Sequence, residues 1–354
     1  MKTFITCALT TIGLSLGDVS VQARSWRINS NPDAKANFTS INAAMESLDV
    51  FKGDTLYLDP GCRLTTEQNV TKAVTIIGPG YNLDGNEQEV ILESISFRNS
   101  KMVDDHAKIE GCHVKSILIA AYFNIAIERC KIQSVSISNV ADIVYCLSCF
   151  IGNNNNNQGT VFNGGVQNTL IINNCIVLGT VDNLIGATLT NNVFVSSNVK
   201  GVLQDVRNSS IKNNIIINTN AGYVLGEDER PYYYKNNTIA NTSVADGNTI
   251  SNNVLSTEAK YAFANYPANK FIGAAMTDVF TLTGVADAMY RLKEGSPAIG
   301  YGTNGYDCGA FSGAYPYVIS GRPRFIPYIY EAVIPNHPTD GKLNVTLKIK
   351  SQNE

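Results

Sequence analysis

Histidine and tryptophan are scarce in this 354-residue chain, with three of the first and one of the second. A zinc site would have to draw on cysteine with little help from imidazole, because His106, His113 and His337 are spread along the sequence. Charge is scarce as well: 27 basic and 30 acidic residues give a formal net charge of -3 and a charged fraction of 16%. That leaves no basic field for nucleic acid, and no run of like charge suggests a polybasic membrane patch. Past the N-terminus no stretch reaches the roughly 18 uninterrupted apolar residues of a membrane span. Helical periodicity is also missing between residues 85 and 260.

The N-terminus differs from the rest. Residues 1–23, MKTFITCALTTIGLSLGDVSVQA, carry an early lysine, an apolar stretch from Phe4 to Leu16, and small residues at Val21 and Ala23. This layout predicts a secretory signal peptide cleaved before Arg24, the alternative being a short buried helix. The expected location is therefore secreted, periplasmic or on the outer cell surface. Seven of the eight cysteines lie beyond it, at 62, 112, 130, 146, 149, 175 and 308, an odd number without the density of a disulfide scaffold. The CLSC segment at 146–149 lacks the second pair or nearby histidines of a metal site.

What the chain has in abundance is a repeat. LTNNVFV (189–195), IKNNIII (211–217) and ISNNVLS (250–256) set paired asparagines between branched apolar residues. Asparagine belongs to turns and tolerates the left-handed conformation. Aligning the second asparagine of each pair predicts a ladder through Asn174, Asn192, Asn214, Asn237 and Asn253, with Cys112, Cys130 and Cys149 in the same slot of earlier coils. A period near 20 residues that wanders by a few is the mark of a solenoid. Ile- and Val-rich alternation, as in SVSIS and TLIINNCIV, makes each coil a set of short strands in parallel sheets. Asparagine side chains at successive corners would then hydrogen-bond up the stack, and buried thiols would fill the same slot as small apolar groups.

Both ends need covering. SINAAMESLDV (40–50) places Ile41, Ala44, Met45 and Leu48 on one helical face, with Thr39 or Ser40 as N-cap, and predicts a capping helix. GDTLYLDPG (53–61) and KAVTIIGPG (72–80) read as short strands stopped by Pro-Gly. The run from FTSINAAMESLDV to KAVTIIGPG resembles the opening of secreted right-handed parallel β-helix proteins of the pectate-lyase-like superfamily. YRLKEGSPAIGYGTNGYDCGAF (290–311) resembles the closing turn of bacterial surface proteins called choice-of-anchor Q, matching at Ser296, Pro297, Ala298, Ile299, Gly300, Asp307, Gly309, Ala310 and Phe311 and departing at Tyr301. The resemblance implies an all-β fold: a right-handed parallel β-helix over 24–314 with an N-terminal capping helix. Residues 315–354, ending in the alternating LNVTLKIK, read as a short C-terminal β extension. It is expected either to pack back through Phe325, Ile326 and Tyr328 to Tyr330 or to serve attachment.

Fold does not fix activity, since the superfamily includes lyases, hydrolases, epimerases and adhesins. Lyases and hydrolases need outer-face carboxylates, with calcium in some, and a basic residue that meets the substrate. VDDH (103–106) only partly echoes the W-x-D-H segment of pectate lyases, and no G-H-G of the polygalacturonases occurs. GEDERPYYYKNN (226–237) gathers Glu227, Asp228, Arg230, Tyr232, Tyr233 and Tyr234, groups suited to stacking on and hydrogen-bonding a sugar; the plain alternative is an exposed loop packed on its neighbours. From 165 to 220 the polar residues are mainly Asn, Ser and Thr. The expectation is a surface scaffold that contacts a polysaccharide or cell-surface glycan without turnover, with no cofactor. The alternatives are a lyase or hydrolase, with calcium if a lyase, and a purely structural or adhesive protein.

Overall fold

A computed structural model describes residues 23–81, 89–98, 106–120, 124–138, 143–152, 159–164, 169–198, 202–219, 239–240, 247–255, 269–271, 275–322, 328–333, 337 and 341–350. The chain enters through β1 (Ser25–Ile28), helix α1 (Ile41–Glu46) and β2 (Thr55–Leu58). It then winds through β3 (Arg63–Val70), β4 (Thr75–Ile77), β5 (Ile91–Phe97), β6 (His106–Glu110), β7 (His113–Ile119), β8 (Asn124–Glu128), β9 (Lys131–Ile137) and β10 (Ile143–Leu147). From there each coil carries three strands: β11 (Phe150–Gly152), β12 (Thr160–Asn163) and β13 (Thr169–Asn173); β14 (Ile176–Leu178), β15 (Thr180–Ile185) and β16 (Thr188–Thr190). The pattern continues with β17 (Val193–Ser196), β18 (Leu203–Arg207) and β19 (Ser210–Lys212), then β20 (Ile215–Asn218), β21 (Ile239–Ala240) and β22 (Thr249–Ser251). Short strands β23 (Val254–Leu255) and β24 (Lys270–Phe271) end the stack.

The first sheet runs β1-β2-β4-β6-β8-β10-β13-β16-β19-β22 and the second starts β3-β5-β7-β9, all parallel. At β9 the second sheet divides: Lys131 and Ile132 pair with β11, while Val135 and Ser136 pair with β12. The near branch continues β11-β14-β17-β20-β23-β24 and the far branch β12-β15-β18-β21. This is a parallel β-helix with coils about 4.8 Å apart. Its interior is built of single-file rows, as in Leu56, Ile76, Ile109, Ile127, Cys146, Ile172, Leu189, Ile211 and Ile250, all buried. Each such aliphatic side chain stabilises the stack by about 1.5–3 kcal/mol.

The paired asparagines divide their labour at the corner between the first sheet and the near branch. The leading residue adopts positive φ: Gly111 (65°), Arg129 (46°), Ser148 (52°), Asn174 (53°), Asn191 (54°), Asn213 (57°) and Asn252 (56°). Asparagine visits this region at less cost than other residues with a side chain. The following residue turns inward and donates to the carbonyl of the interior row one coil back. Asn192 Nδ2 reaches Ile172 O at 2.8 Å, Asn214 Nδ2 reaches Leu189 O at 2.8 Å, and Asn253 Nδ2 reaches Ile211 O at 2.9 Å. Cys149 Sγ makes the same contact with Ile127 O at 3.3 Å and Cys175 Sγ with Cys146 O at 3.2 Å. Each asparagine Oδ1 accepts from the preceding coil: Cys175 N to Asn192 (2.8 Å), Asn192 N to Asn214 (2.8 Å), Asn214 N to Asn253 (2.9 Å) and Asn253 N to Asn269 (3.1 Å).

Two expected rungs are thereby corrected. Cys175, not Asn174, occupies the slot, because Asn174 takes the left-handed position before it. The ladder steps directly from Asn214 to Asn253, so Asn237, which lies outside the described residues, is not a rung between them. A shorter ladder that sequence reading missed follows Gly186, Asn208 and Gly247 at positive φ. There Ala187 N donates to Ser209 Oγ (2.9 Å) and Ser209 N to Asn248 Oδ1 (2.9 Å).

At the N-terminal end, Ser40 caps α1 by accepting from Ala43 N at 3.0 Å, and Ile41, Ala44 and Met45 are buried. The helix meets β3, which among the described strands pairs only with β5. Asn42 Nδ2 donates to Glu67 O (2.8 Å) and its Oδ1 accepts from Asn69 N (2.7 Å), so one amide occupies backbone groups on the open edge of β3. Leu48 does not share the buried face: the helix stops at Glu46, Ser47 turns extended, and Leu48 is 90% exposed.

The largest departure from expectation is on the near branch. Phe150, Ile176, Leu178, Val193, Val195, Ile215, Ile217 and Val254 face outward yet are buried. Residues 275–322, entering through helix α2 (Met276–Val279), cross them as a strap and contribute Val279, Phe280, Tyr290, Ala298, Cys308, Ala310 and Tyr317 to a second core. The left-handed asparagines hold the strap. Asn174 Nδ2 donates to Ala310 O (2.7 Å) and Ser312 O, Thr303 N donates to Asn213 Oδ1 (2.9 Å), and Gly309 N donates to Asn213 O (2.9 Å). Gly309 (φ 97°) lies so close that an added Cβ would stand 2.7 Å from Ile215 Cδ1. Beyond the strap, β25 (Tyr328–Val333) and β26 (Thr346–Lys350) form an antiparallel pair in which Leu347 and Ile349 are exposed. The side chains of Phe325, Ile326 and Tyr328 to Tyr330 fall outside the described residues.

Asn214→Leu strips the Asn192 N–H and the Leu189 carbonyl of their partners, and should cost about 2–4 kcal/mol in urea unfolding. Asn213→Ala loses the left-handed preference and the Thr303 bonds and should cost about 1–2 kcal/mol. Burial pushes the Cys112, Cys130, Cys146 and Cys149 thiols well above their ordinary range. These four should resist a thiol reagent in the native protein and react fully in urea, as read by mass spectrometry of labelled peptides.

Candidate functional site

With the near branch covered, the first sheet and the far branch supply the open outer faces. On the first sheet, Thr55, Thr75, Lys108, Ala126, Tyr145, Ile171, Thr188, Ser210 and Thr249 stand in one row. The far side of the second sheet is more uniform. Ser94, Ser116 and Ser134 stack in register, and beside them run Asn69, Ser96, Leu118, Ser136, Asn163, Asp182 and Gln204. Ser136 and Asn163 are exposed, and Ser94, Ser116, Ser134, Asp182 and Gln204 are half-buried. Strand alternation produces this face: the inward partners Ile95, Ile117, Val135, Phe162, Val181 and Leu203 are core. Hydroxyls and amides thus recur along a straight path, with two carboxylates among them: Asp182, and Glu67, the register partner of Ser94, which pairs with Arg98.

The expected sugar-binding residues Glu227, Asp228, Arg230, Tyr232, Tyr233 and Tyr234 lie outside the described residues. In the chain they fall between β20 and β21, and β21 is a far-branch strand that joins Gln204 to Ala240. Asp104, Asp105 and the asparagine run at 153–157 also lie outside. His106 is described: it opens β6, is exposed, and pairs with Asn124 of β8.

Besides isolated pairs such as Arg27–Asp59, Arg98–Glu67 and Lys115–Glu93, two carboxylates and two basic groups gather in one cluster among the described residues. Glu110 and Glu128 are register partners in adjacent coils, and Lys108 Nζ stands 2.6 Å from both. Arg129 also pairs with Glu110, which is buried. Two carboxylates against an ammonium and a guanidinium leave the cluster balanced, and its chemistry is that of a brace across two coils. Gly321 at the end of the strap packs against the Arg129 carbonyl, so the brace also seats the strap.

A second polar cluster is fully enclosed. The Tyr81 and Tyr317 hydroxyls hydrogen-bond to each other, Tyr317 Oη donates to Asp287 Oδ2 (3.1 Å), and Ser320 N donates to the same oxygen (2.6 Å). Burial pushes the Asp287 carboxyl above its ordinary range and the two phenols well above theirs. With Tyr81 N bound to Ser320 O at 2.8 Å, these groups rivet the end of the strap to an early coil. Under the strap, Ile215, Tyr290, Leu292, Cys308 and Phe311 line a pocket of about 190 Å³. That is below the roughly 300 Å³ at which ligand pockets begin. Desolvation holds the Cys308 thiol up at about 12, and its Sγ donates to Asn252 O at 3.1 Å.

Among the described residues no three His, Cys, Asp or Glu side chains gather into a metal site. No described helix is long and apolar enough to cross a membrane. Compared with protein-family models, curated proteins and solved structures, the chain finds no match. The parallel β-helix therefore stands on strand order and register alone.

Asp287 gives a pH test. Its raised folded value means that its contribution to stability is fully present below the ordinary carboxyl value of about 3.9 and is lost as pH rises through the folded value. Asp287→Asn keeps an acceptor for Ser320 and Tyr317 but cannot ionise. Calorimetry should show the melting temperature of the variant, relative to the parent, rising between pH 3.5 and pH 6.

Proposed function

We propose that this chain is a secreted or cell-surface β-helix scaffold that binds a polysaccharide along its far branch without turning it over. Its kinship on this reading is with the pectate-lyase-like superfamily, in the manner of choice-of-anchor Q surface proteins. The observation that supports it is the in-register row Ser94, Ser116, Ser134 with Ser136, Asn163 and Gln204 alongside. A glycan presents a hydroxyl-rich edge at every sugar, and this face offers a donor and acceptor set at every coil, about 4.8 Å apart. Many weak, evenly spaced hydrogen bonds give avidity for a long polymer and little for a monosaccharide. In sequence Tyr232, Tyr233 and Tyr234 precede β21, a far-branch strand, and aromatic rings would add stacking to the hydrogen bonds. The Glu110–Glu128 pair is committed to Lys108 and Arg129, which favours binding over acid/base chemistry.

Affinity electrophoresis against neutral and acidic polysaccharides tests the reading. Retention should weaken about tenfold when Ser116, Asn163 and Gln204 are replaced together by alanine, a loss of about 1.4 kcal/mol, and again when Tyr232 to Tyr234 are replaced. New reducing or unsaturated ends in the same incubations would replace binding by hydrolysis or lysis. Absence of retention across the panel would leave a structural role.

A further inference from the structure

We propose that the working protein begins at Arg24, and that Asp54 is the built-in receptor for the α-ammonium created by cleavage of the Ala23–Arg24 bond. Asp54 has no exposed surface, yet its carboxylate is aimed at the start of the chain. Its Oδ1 accepts from Arg24 N at 2.7 Å, and its Oδ2 accepts from Trp26 Nε1 at 2.8 Å and Phe51 N at 2.9 Å. Burial pushes this carboxyl up, and the three donors together with the positive charge of the Arg24 side chain more than offset it, holding it below its ordinary value and ionised. Among the described residues no lysine or arginine side chain forms an ion pair with it. Its three hydrogen-bond donors are neutral, and the only positive charge acting on it is the Arg24 guanidinium, which makes no ion pair with it; a cation placed at one of the donor positions would lower the remaining cost of burying the carboxylate.

Cleavage supplies that cation at the place the Arg24 nitrogen already holds beside Asp54. Water adds across the Ala23–Arg24 peptide bond, Ala23 leaves as a carboxylate, and the Arg24 nitrogen takes up protons to become an ammonium beside Asp54 Oδ1. The bond is accessible, because Ala23 and Arg24 are both exposed. Arg24 is also the first residue tied into the first sheet, its carbonyl accepting from Thr55 N at 2.8 Å. The required agent is a peptidase that selects small residues one and three positions before the cut, here Ala23 and Val21. The inference is independent of the glycan reading, since it concerns no ligand.

Two chains test it: one starting at Arg24 with a free amine, and one extended by residues 21–23. At pH 6 the first should melt a few degrees higher. An α-amine has an ordinary value of about 7.7–8.0, and pairing with Asp54 raises it in the folded state. The advantage should therefore be complete below pH 7.7 and fade as pH climbs through the raised value. Asp54→Asn should abolish the difference between the chains. Should that variant not fold, an NMR titration of the α-amine in the unsubstituted protein decides, a value above 8 supporting the pair and one at or below 8 overturning it. Equal melting at pH 6 would also overturn the receptor role, and an intact mass of the exported protein starting anywhere but Arg24 would overturn the cleavage.

Discussion

Everything in this molecule hangs on one corner. A residue at positive φ turns the chain out of the first sheet, and the residue after it buries a donor against a carbonyl one coil back. An amide or a thiol can make that contact, which is why asparagine and cysteine share a slot. The asparagine adds what the thiol lacks, an oxygen that accepts from the preceding coil, so the later coils are joined twice at each corner. Because the corner fixes where each coil starts, it also fixes the register of the sheets beside it, and a slip by one residue would turn the core outward.

The same corners point their leading side chains away from the solenoid core, and the strap uses them. Asn174, Asn213 and Asn252 contact the segment that crosses the near branch, so the turn residues of the solenoid are also the anchor points of its cover. The cover explains the apolar outer row from Phe150 to Val254, which would otherwise be a large exposed patch. At its far end the strap is fastened by Asp287, Tyr317 and Tyr81, and beside them Gly321 fits against Arg129.

The repeat, the parallel sheets and the role of paired asparagines were legible because period and residue type carry them directly. Assigning the slot at 173–175 was not, since Asn173, Asn174 and Cys175 can each turn or point inward and only the register chooses. The strap was half legible: CIVL, VFV and III (215–217) lack the polar alternation of HVKSILI or KIQSVSI, the mark of strands buried on both faces. What covered those strands lay roughly 90 to 140 residues along the chain, beyond the reach of local pattern. The SPAIG and DCGAF motif pointed to a closing turn, and its residues instead form the middle of the strap. As for the candidate site, the Asn, Ser and Thr bias was visible, but its concentration on the far branch needed the strand pairing.

Ladder rungs are separated by 17 residues from Cys175 to Asn192, 22 from there to Asn214, and 39 from there to Asn253. The geometry of the corner is the same at each step, so the extra length is carried entirely between β20 and β22 and disturbs no core row. The solenoid is thus tolerant of insertion at a defined port. Evolution can lengthen the chain there, and so can an engineer grafting a foreign loop, while the coil closes on the same amide.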